Sequence, residues 1–598
     1  MLKNIFITIL LICSVSGVWG QKSVKVKVSG NVITTDGVPA EFINIQLKNT
    51  FYGGTSDGKG YFEFMAPAGQ YTMIVQSIAA HRREFPVTIE EGKENHFADI
   101  EIRENINQLE QVVVTGQFSP QSMRNSLYKV RTVNSEQIRQ KVPTSVQSLL
   151  NTEIGIRLSN DMALGETDFE LMGMSGNNVK ILLDGIPLID RGATKQSLSQ
   201  LDVNSIERVE IVEGPMSVVY GTDALAGVIN IITKKGDGYS EENTWRVGAR
   251  VQEESMGKEY DFFKDKGLHN ESIDLGFNHK SGLFVNGGYT RNNHGGWQGD
   301  LTGREKRWHP KDQALMNGMF GFQNRNMNVW YRLDFLDEKI FGPNNGSELQ
   351  PEKVSDKDFL TKRYTHQLQS DWKLDNRLDV HAALSYQDYK RRTRTTESDL
   401  STGEKWLSSA EASQDITQYK AWIARATVAW NIAPEFSVQP GVEYQWTQGE
   451  GGRIDGTPKV SDLAFFLSAE YKPWEWLSLR PGVRTFIVAD YDAPIAIPSV
   501  LTKFKLTKHM DLRLSYAYGF RSPTLQELYF SFHNDNHDID GNPDLKAEYS
   551  HNITGSVAYR VLHSEKIHLT TTLSGFYNDF RDKISLAQNV DIPNYNTY

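Results

Sequence analysis

Across 598 residues the chain holds a single cysteine, Cys13. It falls inside the first twenty residues, so the remainder has no disulfide and no thiolate metal ligand. Beyond those twenty residues no run of eighteen apolar residues occurs, which argues against a helical membrane protein. It leaves a β-barrel open, because lipid-facing and lumen-facing residues alternate there and dilute the hydropathy. Excess positive charge is missing too. Lys and Arg total 64 against 74 Asp and Glu, a net charge of −10, so nucleic acid is not the expected partner. There is no metalloprotease helix motif, no Gly-x-Ser-x-Gly elbow and no nucleotide loop. The chain is therefore not read as an enzyme, and any active process must take its energy from elsewhere.

The first residues read as a secretory leader. Lys3 is a short basic region, Ile5 to Val18 are apolar, and Gly20 is a small residue before the polar Gln21-Lys22-Ser23. Residues 1–20 are expected to be removed. Ile12 before Cys13 does not suit a lipoprotein anchor. Aromatics at 11% and 48 glycines suit a β-rich export product.

Residues 24–103 read as a small β-sandwich. Val24, Val26 and Val28 alternate with Lys25, Lys27 and Ser29, and Ile43, Ile45 and Leu47 with Asn44, Gln46 and Lys48. Turns at Asp57-Gly58-Lys59-Gly60 and Ala68-Gly69 punctuate them. His81 and His96 stand alone, without zinc-ligand spacing. This pattern resembles the carboxypeptidase-regulatory-like domain, a transthyretin-like sandwich, with an accessory role. Residues 104–116 form a polar connector around the β-forming run Leu109, Glu110, Gln111, Val112, Val113, Val114, Thr115 and Gly116. An exposed strand of this kind can add to the edge of a partner's sheet.

Residues 117–236 carry a capping box at Asn134-Ser135-Glu136-Gln137, a second helix start after Pro143, and a turn at Asp184-Gly185. From Ser205 to Lys235, two apolar strands flank a small-residue turn and a short helical piece, punctuated by Gly214-Pro215, Tyr220-Gly221 and Gly227, with Asn230 in the second strand. That run closely resembles the end of the plug domain of TonB-dependent outer-membrane receptors. The resemblance implies that residues 110–116 act as a TonB box, pairing with the energy-coupling protein TonB. It also points toward receptors for siderophores, haem and cobalamin and away from glycan importers. One departure is Met172-Gly173, where the family commonly has an arginine before the glycine.

From about 241 the texture becomes long alternation. Phe436, Val438, Pro440, Val442, Tyr444 and Trp446 share one face, as do Leu512, Leu514, Tyr516 and Tyr518. Phe465 to Tyr471 lead to an expected turn at Lys472-Pro473-Trp474-Glu475. Segments of about ten residues suit tilted transmembrane strands. Stretches 291–312, 337–362, 389–415 and 447–460 are expected as extracellular loops. About fifteen strands are expected, against roughly twenty-two in outer-membrane transporters that hold a plug. Asp591 to Tyr598 do not alternate, so the barrel over 241–598 is expected to be incomplete and the sequence C-terminally truncated.

Late in the chain, Phe520-Arg521-Ser522-Pro523 and Gly541-Asn542-Pro543 resemble a paired box of the receptor family, noted especially in haem receptors. His533 and His537 lie between, and an imidazole can ligate haem iron. Phe520, Arg521, Pro523, His533, His537, Asn542 and Pro543 are thus the candidate ligand loop. Asn536 to Gly541 carry oxygen donors in calcium-loop spacing, but position twelve is Ala547, so no EF-hand is expected. Looser calcium binding stays open, and no confident metal site is nominated. Lys390-Arg391-Arg392-Thr393-Arg394 could face lipopolysaccharide or an anionic chelate.

The expected architecture is mainly β: a sandwich in the periplasm, an α+β plug and an antiparallel transmembrane β-barrel in the outer membrane. The expected function is TonB-dependent import of a scarce metal chelate, iron-siderophore or haem, with cobalamin as an alternative within the family. A non-transporting adhesin or docking barrel is the alternative outside it. No intrinsic cofactor is expected; haem or a metal chelate would be cargo.

Overall fold

The computed structural model describes residues 25–34, 39–40, 43–50, 52–57, 59–77, 80–93, 95–102, 112–118, 121–123, 126–161, 166–189, 196–236, 243–324, 326–375, 377–410, 412–433, 435–451, 453–488, 494–507, 509–534, 537–563, 568–588 and 595–597. The leader with Cys13, and Leu109, Glu110, Gln111 and Asn536, lie outside the described residues. Two compact units emerge, 1–112 and 113–598.

The first unit is a two-sheet sandwich. One sheet runs Tyr61–Pro67, Lys25–Thr34, Asn95–Ile102; the other runs Gly53–Thr55, Asn44–Leu47, Gly69–Ser77, Ala80–Ile89. Val28, Val32, Ile45, Leu47, Phe62 and Met73 fill the space between, as the alternation requires.

In the second unit, residues up to 236 build a mixed five-stranded sheet. Its order is Lys129–Asn134, Ile206–Glu213, Gly227–Thr233, Val179–Leu183, Ile186–Pro187. Alternation along buried strands gives it two different faces. Ile181, Leu183, Val209, Ile211, Ile229 and Ile231 pack on one side with the helices Ser135–Lys141 and Val146–Leu150. Both helices carry capping boxes, from Asn134 with Gln137 and from Ser145 with Ser148. The other face presents Leu182, Val212 and Val228 to Val113, Tyr128 and the short helix Ser217–Tyr220.

Around this plug runs a sixteen-stranded antiparallel sheet. Fifteen strands follow one another in sequence order from Thr244–Glu254 to His568–Arg581, and Lys405–Leu407 pairs on the side. The polarity is inverted relative to a soluble protein. Trp245, Val247, Phe320, Leu368, Trp422, Phe465 and Ile553 are exposed on the outer face, while Gln313, Thr361, Gln367, Arg425, Arg480 and Asn552 are buried inside. A wall that is apolar outside and polar inside is what a bilayer demands. Trp474 stacks on Trp476 with centroids 5.2 Å apart, and Phe504 follows at 6.3 Å, an aromatic band beside one short turn. Short turns such as 279–282 and 475–476 share one end, and longer connections such as 295–310 share the other. Short turns mark the periplasmic end of such barrels and long loops the outside.

Two expectations need correction. The strands Lys353–Lys373 and Leu378–Asp399 run 21 and 22 residues, so much of 337–362 and 389–415 is paired strand rather than loop. Above the lipid both faces meet water, so apolar alternation stops while the backbone ladder continues. The turn expected at 472–475 lies at 475–476, because Pro473 sits within the strand Lys459–Trp474. The terminal residues Tyr595–Thr597 pair with His537–Asp540 and Ala587–Gln588, apart from the barrel ladder.

Candidate functional site

Two sites stand out inside the second unit, one at its long-loop end and one under the plug sheet. The upper one is a pocket of about 260 Å³ between the strands Lys353–Lys373, Leu378–Asp399 and Ile416–Ala433 and the loop after Arg521. Phe359, Tyr419, Phe530 and Phe532 give it aromatic walls, and Lys357, Arg391 and Arg453 give it cationic ones. Arg391 lies over the Phe359 ring at 4.7 Å and Arg453 over Phe532 at 4.1 Å. Asp415 accepts from Arg453 Nε at 3.1 Å. Guanidinium groups stacked on rings suit flat, anionic, aromatic guests.

The pocket's floor leads to the plug. Tyr419 packs in one cluster with Tyr389 and the plug residue Ile189. Gln387 Oε1 accepts from the Ile189 amide at 3.0 Å, and Arg363 Nη1 donates to the Ile189 carbonyl at 2.9 Å.

The lower site holds residues 113–116. Glu210 and Asn230 face each other across the adjacent strands Ile206–Glu213 and Gly227–Thr233, so both side chains leave the same face of the sheet. A buried carboxylate needs donors. Glu210 accepts from the amides of Val114 at 3.1 Å and Thr115 at 2.8 Å, and from Thr115 Oγ1 at 2.6 Å. Arg208 Nε donates to its other oxygen at 2.9 Å. Asn230 Nδ2 donates to Thr115 Oγ1 at 2.9 Å. The Gly116 amide donates to the Tyr220 hydroxyl at 3.1 Å, and its carbonyl accepts from Arg480 on the barrel wall. Gly116 itself has φ +70°, and a Cβ there would lie 2.3 Å from Met216 Cε.

These contacts correct the expectation of an exposed strand. Val113 and Thr115 are 0% and 1% exposed, and the amides of Val114, Thr115 and Gly116 are all taken. The short strand Val112–Val113 is itself paired with Gln121–Ser122, and Leu109, Glu110 and Gln111 lie outside the described residues.

The remaining nominated residues sort clearly. Asp184 and Gly185 form a tight turn with φ +51° and +85°, the paired positive values that Asp-Gly turns favour. Gly185 donates to Asn230 Oδ1 at 3.0 Å, and Asp184 binds Thr233. Gly214 and Gly221 take positive φ, and Pro215 follows Gly214 into the buried helix Ser217–Tyr220. At Gly227 a Cβ would lie 2.1 Å from the Val212 carbonyl. Met172 packs against the plug core with φ +54°, where the family arginine is absent.

The residues of the paired box pack into the wall and its loop. Phe520 is fully buried, and its carbonyl accepts from Asp223 of the plug. Arg521 lies between Glu527 at 2.9 Å and Glu548 at 3.2 Å, all three buried. Pro523 precedes the helix Leu525–Tyr529, whose capping box uses Thr524 and Glu527. The Asn542 amide donates to the Glu527 carbonyl at 2.8 Å, with Pro543 next in the same loop. None of Phe520, Arg521 or Pro523 lines the pocket; Gln526, Phe530 and Phe532 from the same loop do. His533 is exposed, with Nδ1 on Asp538 and Nε2 on Asp540 at 3.1 Å. The Asp538 hydrogen bond raises its pKa above the ordinary histidine value. His537 begins the paired strand His537–Asp540.

Sequence reasoning missed Glu210, Arg480, Tyr419 and Arg453. A signal existed for Glu210: a carboxylate set directly between Val209 and Ile211 in the strand that leads to Gly214. Arg453 sits in a polar stretch with no pattern to mark it.

Family models match three segments. A CarboxypepD_reg-like domain matches 28–114, a TonB-dependent Receptor Plug Domain 122–228, and a TonB dependent receptor-like β-barrel 436–598. An iron-regulated outer membrane virulence protein of Vibrio cholerae serotype O1 is 25% identical over 508 residues, 80% of this chain and 69% of the relative. The ferrienterobactin receptor of Escherichia coli K12 is 32% identical over 124 residues, 18% of this chain and 17% of that protein. The crystal structure of the siderophore receptor PirA from Pseudomonas aeruginosa shares the fold, with a TM-score of 0.59 at 16% identity over 78% of each chain. A plug matched in sequence, a barrel wall polar inside and apolar outside, and a preceding regulatory-like sandwich together place this chain among the TonB-dependent outer-membrane receptors.

Proposed function

We propose that the protein imports an anionic ferric chelate with aromatic donor rings, a catecholate-type iron-siderophore, across the outer membrane, driven through TonB. The observation that carries this reading is the pocket at the long-loop end. Its guanidinium and ammonium groups sit against four aromatic side chains, with the plug's Ile189 packed beneath. Charge and ring stacking would hold the guest, and the floor contact would report its arrival to the plug. The relatives support the same class: one is named iron-regulated and another a ferrienterobactin receptor.

Iron-siderophore is preferred to haem because both ring nitrogens of His533 already face carboxylates. The connector before Val112 would offer its backbone to TonB, and force from the inner-membrane proton gradient would then remodel the plug. Outer-membrane lipid meets the apolar outer wall, and exposed Lys390 and Arg392 at the long-loop end would meet lipopolysaccharide phosphates.

The test is binding by tryptophan fluorescence, with ferric tris-catecholate, haem and cobalamin compared on the full chain, followed by uptake in cells with and without a proton uncoupler. Ferric tris-catecholate should bind most tightly, and uptake should stop with the uncoupler. Tighter binding of haem or cobalamin would reject the ligand class. Binding without gradient-dependent uptake would favour the docking-barrel alternative.

A further inference from the structure

We infer that Asn230 is the positioning residue that ties the coupling segment to the plug's Asp184–Gly185 turn, so that movement of the turn loosens residues 113–116. The inference rests on the proposed coupling role of the connector. Besides the adjacent Gln117, which donates to the Thr115 carbonyl at 3.2 Å, four side chains hold Val114 to Gly116: Glu210, Asn230, Tyr220 and Arg480. Three are anchored away from that turn. Glu210 is fixed by Arg208 on its own strand, Tyr220 sits in a short buried helix, and Arg480 belongs to the wall and pairs with Glu470. Asn230 differs. Its nitrogen holds Thr115 Oγ1 at 2.9 Å while its oxygen holds the Gly185 amide at 3.0 Å.

Gly185 leads directly upward. Ile186–Pro187 follow it, and Gln387 Nε2 donates to the Pro187 carbonyl at 2.7 Å. Ile189 then packs against Tyr389 and Tyr419, and Tyr419 lines the pocket. A run of three residues therefore separates the pocket's floor from an amide that shares one side chain with Thr115.

The two halves of the turn are held unequally. Asp184 is bound to Thr233 at 3.0 and 2.7 Å, to Lys235 at 3.1 Å, and through its carbonyl to Gln369 at 2.9 Å. Nothing lies within 4 Å of the position a Cβ on Gly185 would take. The Gly185 side can thus shift while Asp184 stays. Such a shift draws on Asn230, and Thr115 loses a partner that no neighbouring water-exposed group replaces, since Thr115 is 1% exposed. An asparagine suits this task because its amide offers an acceptor and a donor pointing opposite ways. Its cross-strand partner Glu210 keeps the backbone of Val114 and Thr115, so a loosened segment is released in part rather than expelled. Coupling of this kind is a physical claim only if both ends bias one element, which is measurable.

The experiment uses the full chain with Cys13→Ser, leaving no native thiol, and Val112→Cys as a reporter. The maleimide labelling rate of that thiol is measured with no ligand and again with ferric tris-catecholate. Asn230→Leu should raise the ligand-free rate about tenfold, the factor expected from ~1.4 kcal/mol of lost restraint. Thr115→Val removes that contact and the 2.6 Å bond to Glu210 as well, so it should label at least as fast, and adding Asn230→Leu to it should add nothing further. Thr115→Ser keeps the oxygen and should label like the parent. Where ferric tris-catecholate accelerates labelling of the parent, it should no longer do so in Asn230→Leu, although fluorescence shows binding within threefold of the parent. A parent-like ligand-free rate in both Asn230→Leu and Thr115→Val would overturn the inference, as would full ligand acceleration in Asn230→Leu. The ligand-free arm needs no guest, so failure of the ferric-chelate reading would appear separately, as absent binding by the parent.

Discussion

Two buried carboxylate clusters in this molecule look alike and do different work. In the first, Arg521 stands between Glu527 and Glu548 and ties the strand Met510–Arg521 to the helix Leu525–Tyr529 and the strand Glu548–His563. All three groups lie within the wall and its loop, where Glu548 also accepts from the Ile584 amide at 3.2 Å. In the second, Glu210 has Arg208 on one oxygen, and its remaining capacity goes to the amides and hydroxyl of a separate segment, Val114–Thr115. A closed charge cluster fixes geometry. A carboxylate that spends itself on another segment's backbone makes a joint, because the segment can leave and water can replace it. The conspicuous motif closes on its own wall and loop, whereas the inconspicuous glutamate holds the backbone of another segment.

Four outcomes would break or sharpen that contrast. Arg521→Ala should have the largest effect. It leaves two carboxylates buried without a countercharge, a loss of about 3–5 kcal/mol for breaking such a cluster. Thermal unfolding of the purified protein should fall accordingly, and an unchanged midpoint would mean the cluster holds nothing. Glu210→Gln should cost less, about 1.5–3 kcal/mol, because an amide still accepts although its charge is gone. That loss should appear as protease cleavage near Val113 while ligand affinity stays. Cleavage no faster than in the parent would remove the joint from the account.

Arg453→Ala should weaken ferric tris-catecholate binding by roughly tenfold, the scale of a lost cation–π and charge contact, with little change in unfolding. Asp415 and Phe532 lose only a surface neighbour. The smallest effect concerns His533. Its pKa is raised by the hydrogen bond to Asp538, with Asp540 adding to it. The pair therefore contributes fully below the unfolded value of about 6.5 and fades as pH rises through the higher folded value. Proteolysis of the Ser531–Asp540 hairpin should quicken over that rise, and His533→Ala should abolish the pH dependence. A histidine titrating below the free value by NMR would contradict the pairing.

Much of the fold was legible because burial leaves a period. The two strands of Ser205–Lys235, the Asn134 capping box and the outward Phe, Leu and Trp of the wall all follow from alternation and local turn chemistry. The long upper strands were not legible, since water on both faces erases the pattern that lipid imposes. The site was harder. Phe520 and Arg521 drew attention as a motif, yet they face inward. Arg453, Tyr419 and Phe359 come from three distant stretches that only the pairing of long strands brings together. Residues 113–116 looked like a free β-strand because their partners, Glu210 and Asn230, lie about a hundred residues away in sequence.

The central claim is that occupancy of the upper pocket loosens the segment under the plug sheet. Hydrogen exchange at the amides of Val114, Thr115 and Gly116, with and without ferric tris-catecholate, tests it most directly. The account predicts slow exchange in the free receptor, set by Glu210 and Tyr220, and clearly faster exchange at all three amides when the chelate is bound. Equal protection in the two states, at a chelate concentration shown to fill the pocket, would contradict it.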